Sequence, residues 1–220
     1  MKRQFDKELK ILKEKLLRMA SLAEESITLA VNSLKERKEE LAQKVFKGEE
    51  DINLLDIEID KLTLRLLALR QPMAVDLRFI TSAMRIAIEL ERIGDQSVNI
   101  AQRALELLKL PLLKPLIDIP RMASLAQNMV KDSLNAFVNR DEKLARDVCQ
   151  RDDEVDDLND QIFRELLTYM MQDPSTINGA VDLILVGRHL ERIADHATNI
   201  SEDVIYYVKG KTIKHHFEKR

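Results

Sequence analysis

Apolar residues along this chain recur with the period of a helix. Ile52, Leu55, Ile59, Leu62 and Leu66 follow one stripe, and Ile86, Leu90, Ile93 and Ile100 follow another, with Ser97 among them. That three-or-four spacing is one buried helical face. No segment alternates with a strand's period of two. The polar and proline punctuation divides the pattern. Pro72 and Pro174 interrupt it sharply, because proline cannot continue a helix interior. Weaker breaks fall at Arg37-Lys38 and at Asn139-Arg140-Asp141, where Asp141 is placed to cap the helix that follows. The spacing therefore predicts six helices, over 5–36, 39–70, 74–109, 118–139, 141–171 and 176–209. The expected fold class is all-α: two tandem, similar three-helix bundles, with helices of about 45 Å.

The two halves repeat each other. Leu90-Glu91-Arg92-Ile93-Gly94-Asp95-Gln96-Ser97-Val98-Asn99-Ile100 returns 100 residues later as Leu190-Glu191-Arg192-Ile193-Ala194-Asp195-His196-Ala197-Thr198-Asn199-Ile200, with seven of eleven positions identical. Met19-Ala20-Ser21-Leu22-Ala23 returns as Met122-Ala123-Ser124-Leu125-Ala126 at a shift of 103, which also pairs Asn32 with Asn135 and Val45 with Val148. Residues 1–110 form the first unit and 121–210 the second. Pro111, Pro115 and Pro120 mark 111–120 as a linker, and 211–220 is a basic tail.

Composition narrows the class. The 220 residues are 45% hydrophobic and 33% charged, with five Gly and no Trp, as expected of a soluble helical protein. A net charge of −3 gives no global attraction to nucleic acid. No apolar run approaches the roughly 18 residues of a membrane span, and Met1 to Asp6 has no signal-peptide character, so a cytoplasmic protein without membrane insertion is expected. The single Cys149 excludes an internal disulfide and reads as a small buried side chain.

The repeated phrase carries the candidate chemistry. Each copy sets Glu, Asp and Asn at i, i+4 and i+8: Glu91, Asp95 and Asn99, then Glu191, Asp195 and Asn199. On a helix these rise about 6 Å per step along one face. Stacked carboxylates repel by a few tenths of a kcal/mol, and here that penalty is repeated. Counting back across the proline turns places each stripe opposite a run of six acidic residues without a basic one, Glu49 to Asp60 and Asp152 to Asp160. Within those runs the repeat matches Glu49 with Asp152 and Asn53 with Asp156. Two four-membered oxygen sets result: Glu49, Asn53, Glu91 and Asp95, and Asp152, Asp156, Glu191 and Asp195. Clustered carboxylates raise one another's pKa or recruit a cation, and without thiolates they suit Mg, Mn, Ca or iron.

A charged helix face is ordinarily solvated, and Arg92 or Arg192 can pair with Asp95 or Asp195 at i+3. Repetition and the facing acidic runs favour metal over that reading. His189 and His196 share a helix face and read as satisfied histidines, with His196 kept as a further ligand because it adjoins Asp195. The Glu-x-x-His pairs of a ferritin-like di-iron site are absent, since Gly94 and Ala194 stand at +3. Gly94 and Ala194 read instead as small residues at a close helix approach. Tyr169-Met170-Met171 reads as core or partner-contact surface.

Leu67-Ala68-Leu69-Arg70-Gln71-Pro72-Met73-Ala74-Val75-Asp76-Leu77-Arg78, both Leu-Glu-Arg-Ile phrases and Asp153-Glu154-Val155-Asp156 resemble the PhoU family of phosphate-uptake regulators over nearly the whole chain. The resemblance implies a non-enzymatic, commonly homodimeric adaptor. It would damp phosphate-starvation signalling by linking the phosphate ABC transporter ATPase to a membrane sensor histidine kinase. It also implies multinuclear metal, with iron first and zinc, manganese or magnesium open, held by Glu91 and Asp95, Glu191 and Asp195, Asp152 and Asp156, and Glu49 and Asn53. Gln96, Ala194 and Asn53 depart from the family pattern, so the first site is expected to hold metal more weakly. The competing readings are a carboxylate-bridged metalloenzyme and a chaperone-cofactor-like helical interaction module.

Overall fold

A computed structural model describes residues 2–213, so the end of the predicted basic tail, 214–220, lies outside the described residues. Six long helices follow in order: α1 (Lys2–Glu36), α2 (Glu39–Arg70), α3 (Ala74–Leu108), α4 (Asp118–Asn139), α5 (Glu142–Gln172) and α6 (Ile177–Lys209), with a short 3₁₀ turn at Pro174–Thr176 before α6. Among the described residues there is no strand, and no helix is long and apolar enough to cross a membrane.

The turns follow from local chemistry. The two weaker breaks are made by arginines in the left-handed region, Arg37 at φ 54° and Arg140 at φ 55°, in register with each other. Asp141 caps α5 as expected, its carboxylate accepting from the backbone N–H of Lys143 at 3.0 Å and of Leu144 at 3.1 Å. At the proline turns, Gln71 is left-handed at φ 45°, and Pro174 opens the 3₁₀ turn under the carboxylate of Asp173. α4 begins at Asp118, inside the segment read as linker, with Pro120 in its first turn, where a missing N–H costs nothing.

α1 packs on α2 and α3, and α4 on α5 and α6, giving the two predicted bundles. The bundles are not separate bodies. α3 and α6 lie against each other along their length, and the buried side chains form one continuous core. Their pairings run antiparallel. Ser82 Oγ donates to the Asp203 backbone oxygen at 3.3 Å near one end, and Arg103 Nη1 to Asp182 Oδ1 at 3.2 Å near the other. Between them His196 Nδ1 lies 2.7 Å from Glu89 Oε2, and His189 Nδ1 lies 2.8 Å from Gln96 Oε1. The 100-residue shift converts the Glu89–His196 pair into His189–Gln96, and Ser82–Asp203 into Asp182–Arg103. An internal pseudo-twofold axis therefore passes through the middle of the seam.

Candidate functional site

Each carboxylate set lies in the groove between the two antiparallel helices of a proline-turn hairpin. In the first hairpin α2 carries Glu49, Asn53 and Asp56, and α3 carries Glu91 and Asp95. Partial burial and the charge of Asp95, followed by Glu50, push the Glu49 carboxyl above its ordinary range, while the Asn53 amide holds it back. Glu91 is raised by burial and by Asp95, Asp56 and Glu49. In the second hairpin Asp152 is pushed up to about 6, by burial first and then by Asp195, Asp156 and Asp153. Asp156 is raised by burial, Glu191 and Asp195, and Asp195 by burial and Glu191. The tertiary structure thus brings together Glu49, Asn53, Glu91 and Asp95, and likewise Asp152, Asp156, Glu191 and Asp195.

The small residues explain how the helices come so close. A Cβ added at Gly94 would stand 3.2 Å from Ile52 Cδ1, so the α2–α3 approach uses the missing methyl. At Gly187 an added Cβ would fall 2.8 Å from Asn159 Oδ1. That glycine lets Asn159 lie across α6 and donate its Nδ2 to Glu191 Oε2 at 2.6 Å.

Three members of the sites escaped the sequence reading. Asp56 and Asn159 occupy one repeat position, a turn beyond Asn53 and Asp156. The register match that found Glu49 and Asp152 would have found them. Arg188, one turn before Glu191, pairs with it and partly neutralises the second cluster. Arg92 turns the other way from the expected partner Asp95, its Nη1 lying 3.6 Å from Glu89 Oε1.

The asparagines and histidines are corrected in part. Asn99 is half-buried one turn past Asp95. Asn199 does not extend its stripe toward the cluster: its Nδ2 donates to Glu89 Oε2 at 3.1 Å, across the seam. His196 shares that acceptor, so both serve the α3–α6 contact. His189, held down to about 4 by burial and by the charges of Arg192 and Arg103, is neutral there. Gln96 occupies the pseudo-symmetric place of His196 in the seam, so it serves the inter-bundle contact and not the first cluster. Cys149 is half-buried, its thiol pushed up to about 11 by burial and then by Glu202 and Asp152, which keeps it protonated at neutral pH.

As the side chains stand, no three or more His, Cys, Asp or Glu among the described residues are already gathered tightly enough to hold a metal ion. The second cluster nonetheless contains a buried, weakly satisfied acceptor. Asp152 Oδ1 is buried with no partner at full hydrogen-bond distance, and the Thr198 hydroxyl beside it is the nearby donor that holds the Asp152 carboxyl down against its acidic neighbours.

The two-hairpin arrangement matches a known family. The PhoU domain matches residues 16–104 and again 119–204, one match per bundle. The chain belongs to the PhoU family. It is 44% identical over 209 residues to the phosphate-specific transport system accessory protein PhoU homolog of Aquifex aeolicus, covering 95% of each chain. It is 43% identical to the protein of the same description from Caulobacter vibrioides, covering 95% of this chain and 91% of the relative. The crystal structure of PhoU from Pseudomonas aeruginosa superposes with a TM-score of 0.91 at 41% identity, over 94% of this chain and all of that one. The phosphate transport system regulatory protein PhoU from Streptococcus pneumoniae gives 0.87 at 29% identity, over 96% of this chain and 99% of that one. These PhoU-family structures carry the same fold of two tandem three-helix bundles.

Proposed function

We propose that this chain is a cytoplasmic, non-enzymatic negative regulator of phosphate uptake and phosphate-starvation signalling. It acts as a metal-binding adaptor, working as a homodimer, between the ATPase of a phosphate ABC transporter and a membrane sensor histidine kinase. The observation that carries the reading is the pair of pseudo-symmetric carboxylate clusters, one on each bundle of a PhoU-family chain, in which neighbouring acids hold one another's pKa up. Such clusters are stabilised by a divalent cation. Asp152 Oδ1, buried among these acids with only the Thr198 hydroxyl beside it, fits that role. Glu49, Glu91 and Asp95, with Asp56 beside them, would hold metal in the first bundle, and Asp152, Asp156, Glu191 and Asp195 in the second. A bound ion supplies positive charge that ties α2 to α3 and α5 to α6. Iron is the first candidate, with zinc, manganese and magnesium as alternatives.

The adaptor role is supported by an exposed apolar track. Phe163, Leu167 and Met171 recur at i, i+4 and i+8 on α5, and Ile177, Val181 and Leu185 do so on α6. Both lead from the second cluster toward the hairpin tip, and an exposed contiguous patch of this kind marks a docking face. The test is a pull-down of the purified chain against the transporter ATPase and the sensor kinase, with and without chelator. It is combined with elemental analysis of the Asp156→Ala/Asp195→Ala double variant. The expected result is capture of both partners, sensitive to chelator, and a loss of metal from the variant with its helicity intact. Unchanged metal stoichiometry in the variant overturns the metal assignment, and failure to capture either partner overturns the adaptor role.

A further inference from the structure

The two ends of the α3–α6 seam differ where the repeat would make them alike. At one end Gly179 packs against Leu107 and Leu110, beside an open groove of about 520 Å³ that Arg103, Asn178, Val181 and Asp182 line and no aromatic ring enters. At the other end the residues in register with Gly179, Leu107 and Leu34 are Phe79, Tyr207 and Phe137, and a cavity of about 250 Å³ opens beside them. Phe79 and Phe137 stack with centroids 5.5 Å apart and planes 13° apart, and Tyr207 is tilted against both. The walls carry three cations against one acid. Lys10 and Lys13 come from α1, Arg140 from the turn after α4, and Asp76 from the first turn of α3. Lys10 reaches Glu14 at 3.7 Å, Lys13 forms no ion pair among the described residues, and the Arg140 guanidinium lies 5.2 Å over the Tyr207 ring and hydrogen-bonds that side chain. None of the cluster carboxylates lines this cavity.

We propose that this cavity is a binding site for a small aromatic phosphate of the nucleoside-monophosphate class. A floor made of the edges of these largely buried rings favours a planar apolar body set edge-on against it. Lys13 and the Arg140 guanidinium, with Lys10 beside them, line one mouth and favour a phosphate, because a guanidinium matches its oxygens in pairs. The volume lies just below the usual 300–1,000 Å³ of drug-sized pockets, which suits a single nucleotide or smaller and excludes a folded peptide segment. Arg140 is the pivotal residue. It is held at φ 55° by the helix ending, with its guanidinium already over the aromatic floor, so little side-chain freedom remains to be lost on binding.

The experiment is isothermal titration calorimetry of the full chain with AMP, phenyl phosphate, adenosine and inorganic phosphate, each with and without EDTA. The expected result is saturable binding of AMP and phenyl phosphate that survives EDTA, at least about tenfold tighter than adenosine or inorganic phosphate. Lys13→Glu should weaken AMP at least about tenfold, as should Arg140→Asn, which keeps the left-handed turn. Circular dichroism melts of both variants show that the fold is retained. Absence of AMP binding overturns the proposal. So does AMP binding that appears only without EDTA, which places the nucleotide at a metal elsewhere. Inorganic phosphate binding as tightly as AMP, or both variants binding AMP like the parent chain while folded, has the same consequence.

Discussion

Replacing Asp152 by Asn should stabilise the metal-free protein while depriving it of metal. The Asp152 carboxyl is raised from 3.8 to about 6 by burial and by the charges of Asp195, Asp156 and Asp153. An acid whose pKa is higher folded than unfolded binds more protons in the native state between those two values, so stability falls as pH rises from about 4 to about 7. A two-unit shift corresponds to about 3 kcal/mol at full strength. The group is only partly buried and solvent screens its neighbours, which reduces the expected gain to about 1 kcal/mol at pH 7.5. For a chain of this length that is a rise of about 2–4 °C in Tm. Asparagine keeps the shape and one acceptor while removing the charge. The assay is thermal melting of parent and variant in chelator across pH 3.5–8, followed by the same melts with added divalent metal. The variant should melt higher at pH 7.5 in chelator, converge with the parent below pH 4, and gain less from metal. A chelated variant that melts lower at pH 7.5, or a gain that persists unchanged at pH 3.5, refutes the electrostatic account of the cluster.

Three further outcomes follow from the packing and the seam. Gly187→Ala drives a methyl to 2.8 Å from Asn159 Oδ1 and should displace that amide from Glu191, costing about 1–3 kcal/mol by chemical denaturation. Gly94→Ala meets only the tip of Ile52 at 3.2 Å, and the second copy already carries Ala194 there, so its cost should stay below about 1 kcal/mol. Glu89→Ala strips the acceptor shared by His196 and Asn199 and should destabilise by about 1–3 kcal/mol. Despite the cost of burial, the hydrogen bonds from His196 and Asn199 hold Glu89 below the ordinary 4.5. Its contribution is therefore present above that value and is lost as pH falls through the lowered one, so parent and variant melts should converge in acid.

The six helices and the facing acidic runs were legible in the sequence because both rest on periodicity. A helix writes its buried face at every third or fourth residue. A proline turn between antiparallel helices makes opposition a matter of counting, which sets Glu91 across from the region of Asn53 and Glu191 across from the region of Asp157. Asp56 and Asn159 were equally legible through the repeat register. The destinations of Asn199 and His196 were not, because their acceptor, Glu89, lies on another helix more than 100 residues away. Sequence spacing places side chains on one helix face but does not say which neighbouring helix that face meets.

What the sequence determined alone is therefore the local architecture: helix content, turn positions, the duplication and two oxygen-rich hairpins, all carried by interactions among residues close along the chain or across one turn. The tertiary structure decided what depends on long-range packing. It joined the bundles through an antiparallel α3–α6 seam with its own pseudo-twofold axis. It assigned His189, His196, Gln96 and Asn199 to that seam, and it left Asp152 Oδ1 buried with only the Thr198 hydroxyl beside it. It also gave the two ends of the seam openings with different linings, aromatic at one and aliphatic and charged at the other, since what lines an opening depends on every helix that meets it.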